Sequence, residues 1–143
     1  MSPLLLEASI PGRPVGAARP RFVRGSGRTY MPDKHVQAEA SAMVLLRSAW
    51  GGRPPVDAPV RVELDVVVAR PQSLRRRKDP RGRMWCTTKP DADNAAKLLM
   101  DALTKAGVLV DDTRVVELVV RKWYAALEPV EQPHTDVQVW SAT

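Results

Sequence analysis

The spacing of apolar residues along this chain predicts strands and helices in alternation. Between residues 60 and 69, valine and leucine occupy nearly every second position, which is the period of a half-buried strand. Two longer segments carry apolar residues at helical spacing instead. The predicted strands are 4–10, 60–69, 115–123 and 135–140, and the predicted helices are 33–50 and 91–106.

Local signals set the predicted ends of the two helices. Asp33 is expected to cap the first helix, which Gly51 ends, and Gly107 suits the C-terminus of the second because it lacks a side chain. The residues expected to form the apolar face of the first helix are Val36, Ala40, Met43 and Val44, with Arg47 as a further candidate. The second helix carries its apolar stripe on Leu98, Leu99, Ala102, Leu103 and Ala106.

The order of elements predicts an α/β or α+β fold in one domain over residues 1–143, with two main helices packed on a mixed sheet. The last two strands are separated by a turn-rich segment, 128–133, so they are expected to pair as a hairpin. Residues 11–32 and 71–89 are predicted to be long loops, and Arg21-Phe22-Val23 is a candidate for a short extended piece.

Both long loops are rich in arginine, and this concentrates the formal net charge of +6. Cations grouped in this way suit the phosphates of a nucleic acid, although they also suit a solvated surface. The residues expected to contact DNA are Arg19, Arg21, Arg24, Arg28, Arg75, Arg76, Arg77, Lys78 and Lys89. Phe22, Tyr30 and Trp85 lie among them, where one could wedge between bases, and burial is an equal alternative for Phe22.

Several classes of protein are disfavoured. The one cysteine, Cys86, forms no intramolecular disulfide and argues against a cysteine-based zinc site. His35 and His134 are isolated and are expected at the surface or at caps. No signal peptide, membrane span or phosphate-binding glycine motif is recognised, so we expect a cytoplasmic protein with no membrane contact and no nucleotide cofactor.

An acidic cluster stands out against this basic background. Asp91 and Asp93 lie at the predicted start of the second helix, and Asp111-Asp112 follow its end after a short connection. A chain that returns directly after a helix is expected to bring Asp112 beside Asp91 and Asp93. Clustered carboxylates suit Mg²⁺ or Mn²⁺, and Lys97 could orient a water or stabilise phosphoryl oxygens. The residue pattern alone therefore indicates metal-dependent cleavage of nucleic acid.

Each part of this cluster also has a structural interpretation. Asp91 is a common type of helix cap, and Asp111-Asp112 could be a turn. Asp93, Lys97 and Asp101 are four residues apart in succession, so they could form ion pairs on the surface of the helix.

At these residues the sequence resembles the RusA-type Holliday junction resolvases, endodeoxyribonucleases of bacteria and their phages. The matching pattern is Asp91-x-Asp93-Asn94-x-x-Lys97, then the segment 101–107, then Asp111-Asp112 followed by Val115-Val116. Segments 11–12, 19–22 and 28–30 also resemble phage-type members, so the resemblance spans most of the chain.

The resemblance implies a RusA-like mixed sheet with helices, a homodimer, and Mg²⁺- or Mn²⁺-dependent paired nicking of four-way junctions in recombination and repair. It assigns Asp91, Asp93 and Asp112 as metal-binding catalytic carboxylates and Lys97 as the essential lysine. Asn94 and Asp111 are implied to be supporting residues. This chain has Lys89-Pro90 where some relatives carry arginines, which affects local DNA contacts rather than the metal site.

Two other functions stay open at this point. The chain could be a structure-selective DNA-binding module without activity, although retention of Asp91, Asp93, Lys97 and Asp112 argues against this. It could also be a nuclease for another branched DNA or for RNA.

Overall fold

The computed structural model describes residues 2–142 of the chain. It contains seven strands and two α-helices. The strands are β1 (Leu4–Pro11), β2 (Arg21–Phe22), β3 (Thr29–Tyr30), β4 (Val60–Val68), β5 (Met84–Trp85), β6 (Val115–Tyr124) and β7 (His134–Ser141). The helices are α1 (Asp33–Trp50) and α2 (Ala92–Lys105), and 3-10 turns lie at Gln72–Leu74 and Asp112–Arg114. The four long strands and both helices were therefore predicted correctly.

Five strands form one mixed sheet in the order β1-β7-β4-β6-β5. The central strand β4 pairs with β7 in antiparallel and with β6 in parallel orientation. The predicted hairpin between the last two long strands is wrong, because β4 lies between β6 and β7. Residues 125–133 therefore connect two strands that are not neighbours, whereas a hairpin would join adjacent ones.

The core lies between one face of the sheet and the two helices. Alternate side chains of β4 are buried, and Val60, Val62 and Leu64 have no exposed surface. The stripe of α2 packs against them in the same hydrophobic cluster, as its spacing predicted. The parallel pairing of β4 and β6 requires a crossover, and α2 forms part of it.

The predicted apolar face of α1 is correct only at Met43, which is partly buried against the core, and is wrong at its other residues. The helix buries His35, Ala42, Leu46 and Trp50, whereas Val36 and Val44 are 50% and 61% exposed. Asp33 is also not the cap: Pro32 holds that position without a side-chain hydrogen bond. The helix is rotated relative to the expected face because its long Leu46 and Trp50 side chains, rather than its β-branched valines, enter the core.

His35 is buried and not at the surface, which corrects a second expectation. Its Nδ1 accepts a hydrogen bond from the Ala18 main-chain N–H at 3.0 Å, and its Nε2 lies 3.1 Å from Glu39 Oε2. The hydrogen bond from Ala18 fixes the end of segment 13–18 to α1.

The same segment also crosses the first turn of α2. The Ala17 N–H donates to the Asn94 carbonyl at 2.8 Å. A Cβ atom added at Gly16 would lie only 3.0 Å from the Asn94 Cβ. A side chain at position 16 would therefore push this segment away from the helix, and only glycine permits the close approach.

Within residues 2–142, neither helix combines the length and the apolar character that a membrane crossing requires.

Candidate nuclease site

The N-terminus of α2 presents the first part of the acidic cluster. Asp91 is the N-cap residue in extended conformation, and its Oδ2 accepts a 3.4 Å hydrogen bond from Asn94 Nδ2. Asp93 lies in the first helical turn, where the positive end of the helix dipole favours a negative charge. Both aspartates are exposed. Their oxygens are thus accessible to a cation, and a cation bound there would be accessible to a DNA phosphate.

Lys97 lies one turn further along α2 and is exposed. Within residues 2–142, its ammonium has no ion pair with Asp93 or Asp101, so the proposed ion-pair ladder on the surface of the helix is not present. Its charge is therefore available for a ligand.

Asp111 and Asp112 form the second part of the cluster, in the turn that leads into β6. Asp111 Oδ1 accepts a hydrogen bond from the Thr113 N–H at 3.1 Å, so it caps the 3-10 turn. The hydrogen bond between the two side chains raises the pKa of Asp112 above its ordinary value, and the nearby charges of Asp111 and Asp101 add to the effect. The interpretation of this pair as a turn is correct, and it is compatible with ligand binding.

The substitution Asp111→Asn should lower the pKa of Asp112. Asparagine retains the capping oxygen but removes the carboxylate charge that disfavours ionisation of Asp112. Because its pKa is raised, the Asp112 carboxyl group keeps its proton up to a higher pH than an ordinary aspartate. In the variant this proton should be lost at a lower pH than in wild type. A carboxyl ¹³C NMR titration measures the midpoint directly. An unchanged midpoint would mean that Asp111 is not the cause of the shift.

The two acidic parts do not meet within one chain. Thr88 lies three residues before Asp91 and contacts the end of β6, where its carbonyl and hydroxyl bond Lys122 Nζ at 2.6 Å and Tyr124 Oη at 3.3 Å. Asp112 instead lies directly before the beginning of β6. Among the charged residues of α2, Asp101 is the one that acts on Asp112. Asp101 lies about 12 Å from Asp93 along the helix axis.

The expectation that Asp112 returns beside Asp91 and Asp93 is therefore wrong for a single copy of the chain. Because β4 and β6 are parallel, the crossover helix α2 runs against them, and its N-terminus lies at the far end of β6. Within residues 2–142, no three acidic, histidine or cysteine side chains are grouped closely enough to hold a metal ion.

A cleft of about 600 Å³ borders Asp91 and Asn94. Segment 13–18 forms one wall, and the ends of β4 and of the loop at 88–90 form another. Its basic lining residues are Arg13, Lys34 and Lys89. Lys89 was expected to contact DNA, whereas Arg13 and Lys34 were not singled out. Arg13 lies in the first basic loop and Lys34 directly follows that loop, and this position was the signal in the sequence that could have identified them.

The basic loop after β4 contains one buried arginine. Arg70 is 3% exposed, and its guanidinium donates to the carbonyls of Ala125, Leu74 and Pro80 at 3.1, 3.3 and 2.7 Å. A further hydrogen bond reaches the Gly82 carbonyl. Arg70 therefore holds the loop together from inside and is not a DNA contact.

The run 75–78 is divided between internal and outward positions. Arg76 binds the Asp79 carboxylate through two nitrogens at 3.1 Å, and Arg75 Nε donates to the Arg70 carbonyl at 2.9 Å. Arg77 and Lys78 are exposed and make no side-chain bond within residues 2–142. The expected phosphate contact therefore applies best to these two residues, since Arg75 and Arg76 also support the loop.

The short β2–β3 ribbon carries three more of the basic residues that were expected to contact DNA. Phe22 and Tyr30 are 66% and 49% exposed, so the alternative that Phe22 is buried is wrong. Arg21, Arg24 and Arg28 lie on the same ribbon and are exposed. Trp85, which is 65% exposed, stacks on Trp123 with ring centroids 4.0 Å apart. Exposed aromatic rings beside cations are typical of surfaces that bind nucleic acids.

Comparison with known proteins identifies the family of this chain. The family model for endodeoxyribonuclease RusA matches residues 11–139, which are most of this chain. This chain belongs to the RusA endodeoxyribonuclease family. The resemblance seen in its motifs is thereby confirmed, and its mixed sheet with two helices agrees with the RusA fold.

A relative in Bacillus subtilis (strain 168), described as uncharacterized protein YqaN, is 29% identical to this RusA-family chain over 140 residues. The aligned region covers 94% of each protein. That description gives no activity, so the family alone indicates the chemistry. RusA-family resolvases are in general metal-dependent nucleases that act on branched DNA.

Proposed function

We propose that this chain is a Mg²⁺-dependent endodeoxyribonuclease that resolves Holliday junctions by paired, symmetric nicks in DNA recombination and repair. The observation that carries the proposal is the exposed helix N-terminus with Asp91, Asp93 and Lys97, which borders a cleft lined by cations. Family membership supports the reaction class, and the residues at the site support its chemistry. The cytoplasm is the compartment in which such an enzyme would meet its DNA.

The ligand types fit the cation, although Asp112 does not lie with Asp91 and Asp93 within one copy of the chain. Asp91, Asp93 and Asp112 offer exposed carboxylate oxygens, the hard ligands that Mg²⁺ and Mn²⁺ prefer. A bound divalent ion lowers the pKa of a water and stabilises charge on the transferring phosphoryl group. Asn94 orients the Asp91 carboxylate through its 3.4 Å hydrogen bond. Lys97 supplies a positive charge for the phosphoryl oxygens, and Asp111 holds the turn that presents Asp112.

A homodimer is part of the proposal. Resolution of a four-way junction needs two cuts related by symmetry, and two copies of the chain related by a two-fold axis supply two sites.

The cationic residues at the cleft should add to the salt dependence of junction binding. Lys34→Ala is expected to reduce the slope of log K against log[salt] by about 1, because one phosphate contact is lost. Arg47→Ala removes the same charge about 20 Å away on the same helix, so it is a matched control with an unchanged slope. Fluorescence anisotropy over a salt series measures both slopes. Equal slopes for the two variants would place the DNA outside the cleft.

Cleavage of a synthetic four-way junction tests the proposed function. With Mg²⁺ we expect nicks at symmetric positions in two opposing strands, leaving ligatable duplexes, and no nicks in EDTA. A linear duplex of the same sequence is the control. Binding without nicks would favour a non-catalytic DNA-binding module, whereas equal cutting of flaps or RNA would favour a nuclease of different selectivity.

A further inference from the structure

His35 is a buried titratable residue to which the proposed chemistry assigns no role. It lies in the first turn of α1 and is 6% exposed. Each nitrogen of its ring has a partner, since Nδ1 accepts from the Ala18 main-chain N–H at 3.0 Å and Nε2 lies 3.1 Å from Glu39 Oε2. A buried imidazole that is bound on both sides has a fixed orientation, and the bond at one nitrogen determines what the other can do.

The two partners of His35 determine its tautomer. The Ala18 N–H can only donate a hydrogen bond, so Nδ1 must be the unprotonated, accepting nitrogen. The Glu39 carboxylate can only accept, so Nε2 carries the proton. The neutral Nε2–H form of the imidazole is therefore the form that satisfies both contacts.

Lys105 keeps Glu39 in the ionised form that this tautomer requires. Burial opposes ionisation of Glu39, but the hydrogen bond and the charge of Lys105, with smaller contributions from His35, hold the pKa of this carboxyl below its ordinary value. Lys105 is the last residue of α2, so its bond to Glu39 also ties the end of α2 to α1. The orientation of the His35 ring is thus supported by both helices.

Two hydrogen bonds at neighbouring residues of segment 13–18 connect His35 with the candidate site. Ala18, which bonds His35, follows Ala17, whose N–H donates to the Asn94 carbonyl at 2.8 Å. Asn94 Nδ2 in turn donates to Asp91 Oδ2 at 3.4 Å. The sequence of contacts therefore runs from the imidazole, through segment 13–18, to a carboxylate of the proposed metal site.

The packing of Gly16 brings the same segment against the residues on both sides of Asp91. A Cβ atom added at Gly16 would lie 3.2 Å from the Pro90 Cβ and 3.0 Å from the Asn94 Cβ. Segment 13–18 also forms one wall of the cleft that borders Asp91. A displacement of this segment would therefore change the surroundings of Asp91 directly.

We propose that His35 is a positioning residue of the nuclease site, which holds segment 13–18 against the first turn of α2 and thereby fixes Asn94 and the Asp91 carboxylate for the metal ion. The proposal rests on the proposed function for the reaction that this site performs. His35 bonds Ala18 and Glu39, so it acts on Asp91 through segment 13–18.

A purely structural role for His35 leads to a different expectation. Trp50, at the other end of α1, is 5% exposed and donates from Nε1 to the Arg53 carbonyl at 2.9 Å. Loss of a buried hydrogen bond of this kind lowers stability but leaves the site unchanged while the chain stays folded. A positioning role requires in addition a change at Asp91 in the folded chain. Trp50→Phe is therefore the control for loss of stability alone.

Two amide substitutions at position 35 separate the two contacts of the imidazole. In His35→Asn the side-chain oxygen occupies about the place of Nδ1, so it can accept from the Ala18 N–H. In His35→Gln the longer side chain reaches about the place of Nε2, so it keeps the contact with Glu39 and leaves the Ala18 N–H without its acceptor. Both side chains are uncharged, so each variant is the control for the other.

Cleavage of the four-way junction should depend on the contact with Ala18. For His35→Gln we expect a single-turnover rate about 10-fold lower and a half-maximal Mg²⁺ concentration about 10-fold higher, the low end of the cost of losing a group that orients a metal ligand. His35→Asn should restore both values close to those of wild type. Trp50→Phe should leave both unchanged at temperatures at which it is folded.

Hydrogen exchange in the metal-free protein provides a readout that does not depend on activity. In His35→Gln the amides of Ala17 and Ala18 should exchange faster and the side-chain amide signal of Asn94 should shift, whereas His35→Asn should resemble wild type. If His35→Gln does not fold, Gly16→Ala replaces it, because the added Cβ pushes the same segment away from Asn94. Slower cleavage with the two amides still protected would show that segment 13–18 is not the route, and the proposal would be wrong.

The outcomes also separate this proposal from the proposed function. If wild type nicks the junction, and His35→Gln loses the protection of Ala17 but keeps the wild-type rate and Mg²⁺ dependence, the proposed function stands and the positioning role is overturned. If wild type nicks no junction, the proposed function fails. The Asn94 signal then decides the positioning role, which is supported by a shift in His35→Gln alone and overturned by its absence.

Discussion

Replacement of Asp93 by Asn is expected to abolish junction cleavage while junction binding stays at wild-type strength or becomes tighter. Loss of a residue that merely orients a metal ligand costs about 10- to 100-fold, so loss of a direct ligand should exceed about 100-fold. Binding is spared because the change removes a negative charge close to the DNA phosphates. Single-turnover cleavage and gel-shift binding, performed on the same junction, measure the two effects separately.

Asp33→Asn is the control for this variant. Asp33 and Asp93 each lie in the first turn of a helix and are exposed, so both substitutions remove a similar favourable interaction with the helix dipole. Only Asp93 belongs to the proposed site. Cleavage should therefore persist at the wild-type rate in Asp33→Asn. If Asp93→Asn also cleaved at that rate, Asp93 would not be a metal ligand, and the ligand set would have to be sought elsewhere on the chain.

Arg70→Met is expected to lower the free energy of unfolding by about 3 kcal/mol or more. The substitution leaves four carbonyls of the loop without their donor, and each buried unsatisfied acceptor costs about 1–3 kcal/mol, less where water reaches it. In urea the midpoint should fall while the m-value stays constant, since the same surface is exposed on unfolding.

Arg77→Met in the same loop is the comparison for Arg70→Met. Arg77 is exposed and bonds nothing within residues 2–142, so its replacement should change the free energy of unfolding by less than about 0.5 kcal/mol. The same variant should weaken junction binding if Arg77 contacts a phosphate. Equal loss of stability in both variants would mean that Arg70 has no special role in holding the loop.

The fold was predictable from the sequence as far as its elements were periodic. Strong alternation in β4 and the leucine stripe of α2 each reflect contact with the core, so their bounds were found within about two residues. The partners of each strand were not predictable, because pairing depends on contacts far apart in sequence. Nothing local indicates that β7 enters between β1 and β4, which is why a hairpin with β6 was expected.

The candidate site was predictable in its residue types and only partly in its arrangement. The motif around Asp91 lies on the helix terminus where its spacing placed it. Asp112 lies elsewhere because the direction of α2 follows from the parallel pairing of β4 and β6, which a pattern of apolar residues does not reveal. The internal role of Arg70 was also not predictable, because the sequence of a basic segment does not distinguish an arginine that binds main-chain carbonyls from one that binds phosphate.

The position of β7 has a consequence for synthesis of the protein. This strand fills the gap between β1 and β4, and the Ser141 N–H bonds the Pro3 carbonyl beside the first strand. Until β7 has left the ribosome, the nascent chain has an open sheet with two unsatisfied strand edges. During this interval the free edges of β1 and β4 are templates for pairing with strands of other chains, so the exposure of these two edges sets the period in which the nascent chain is most prone to aggregate.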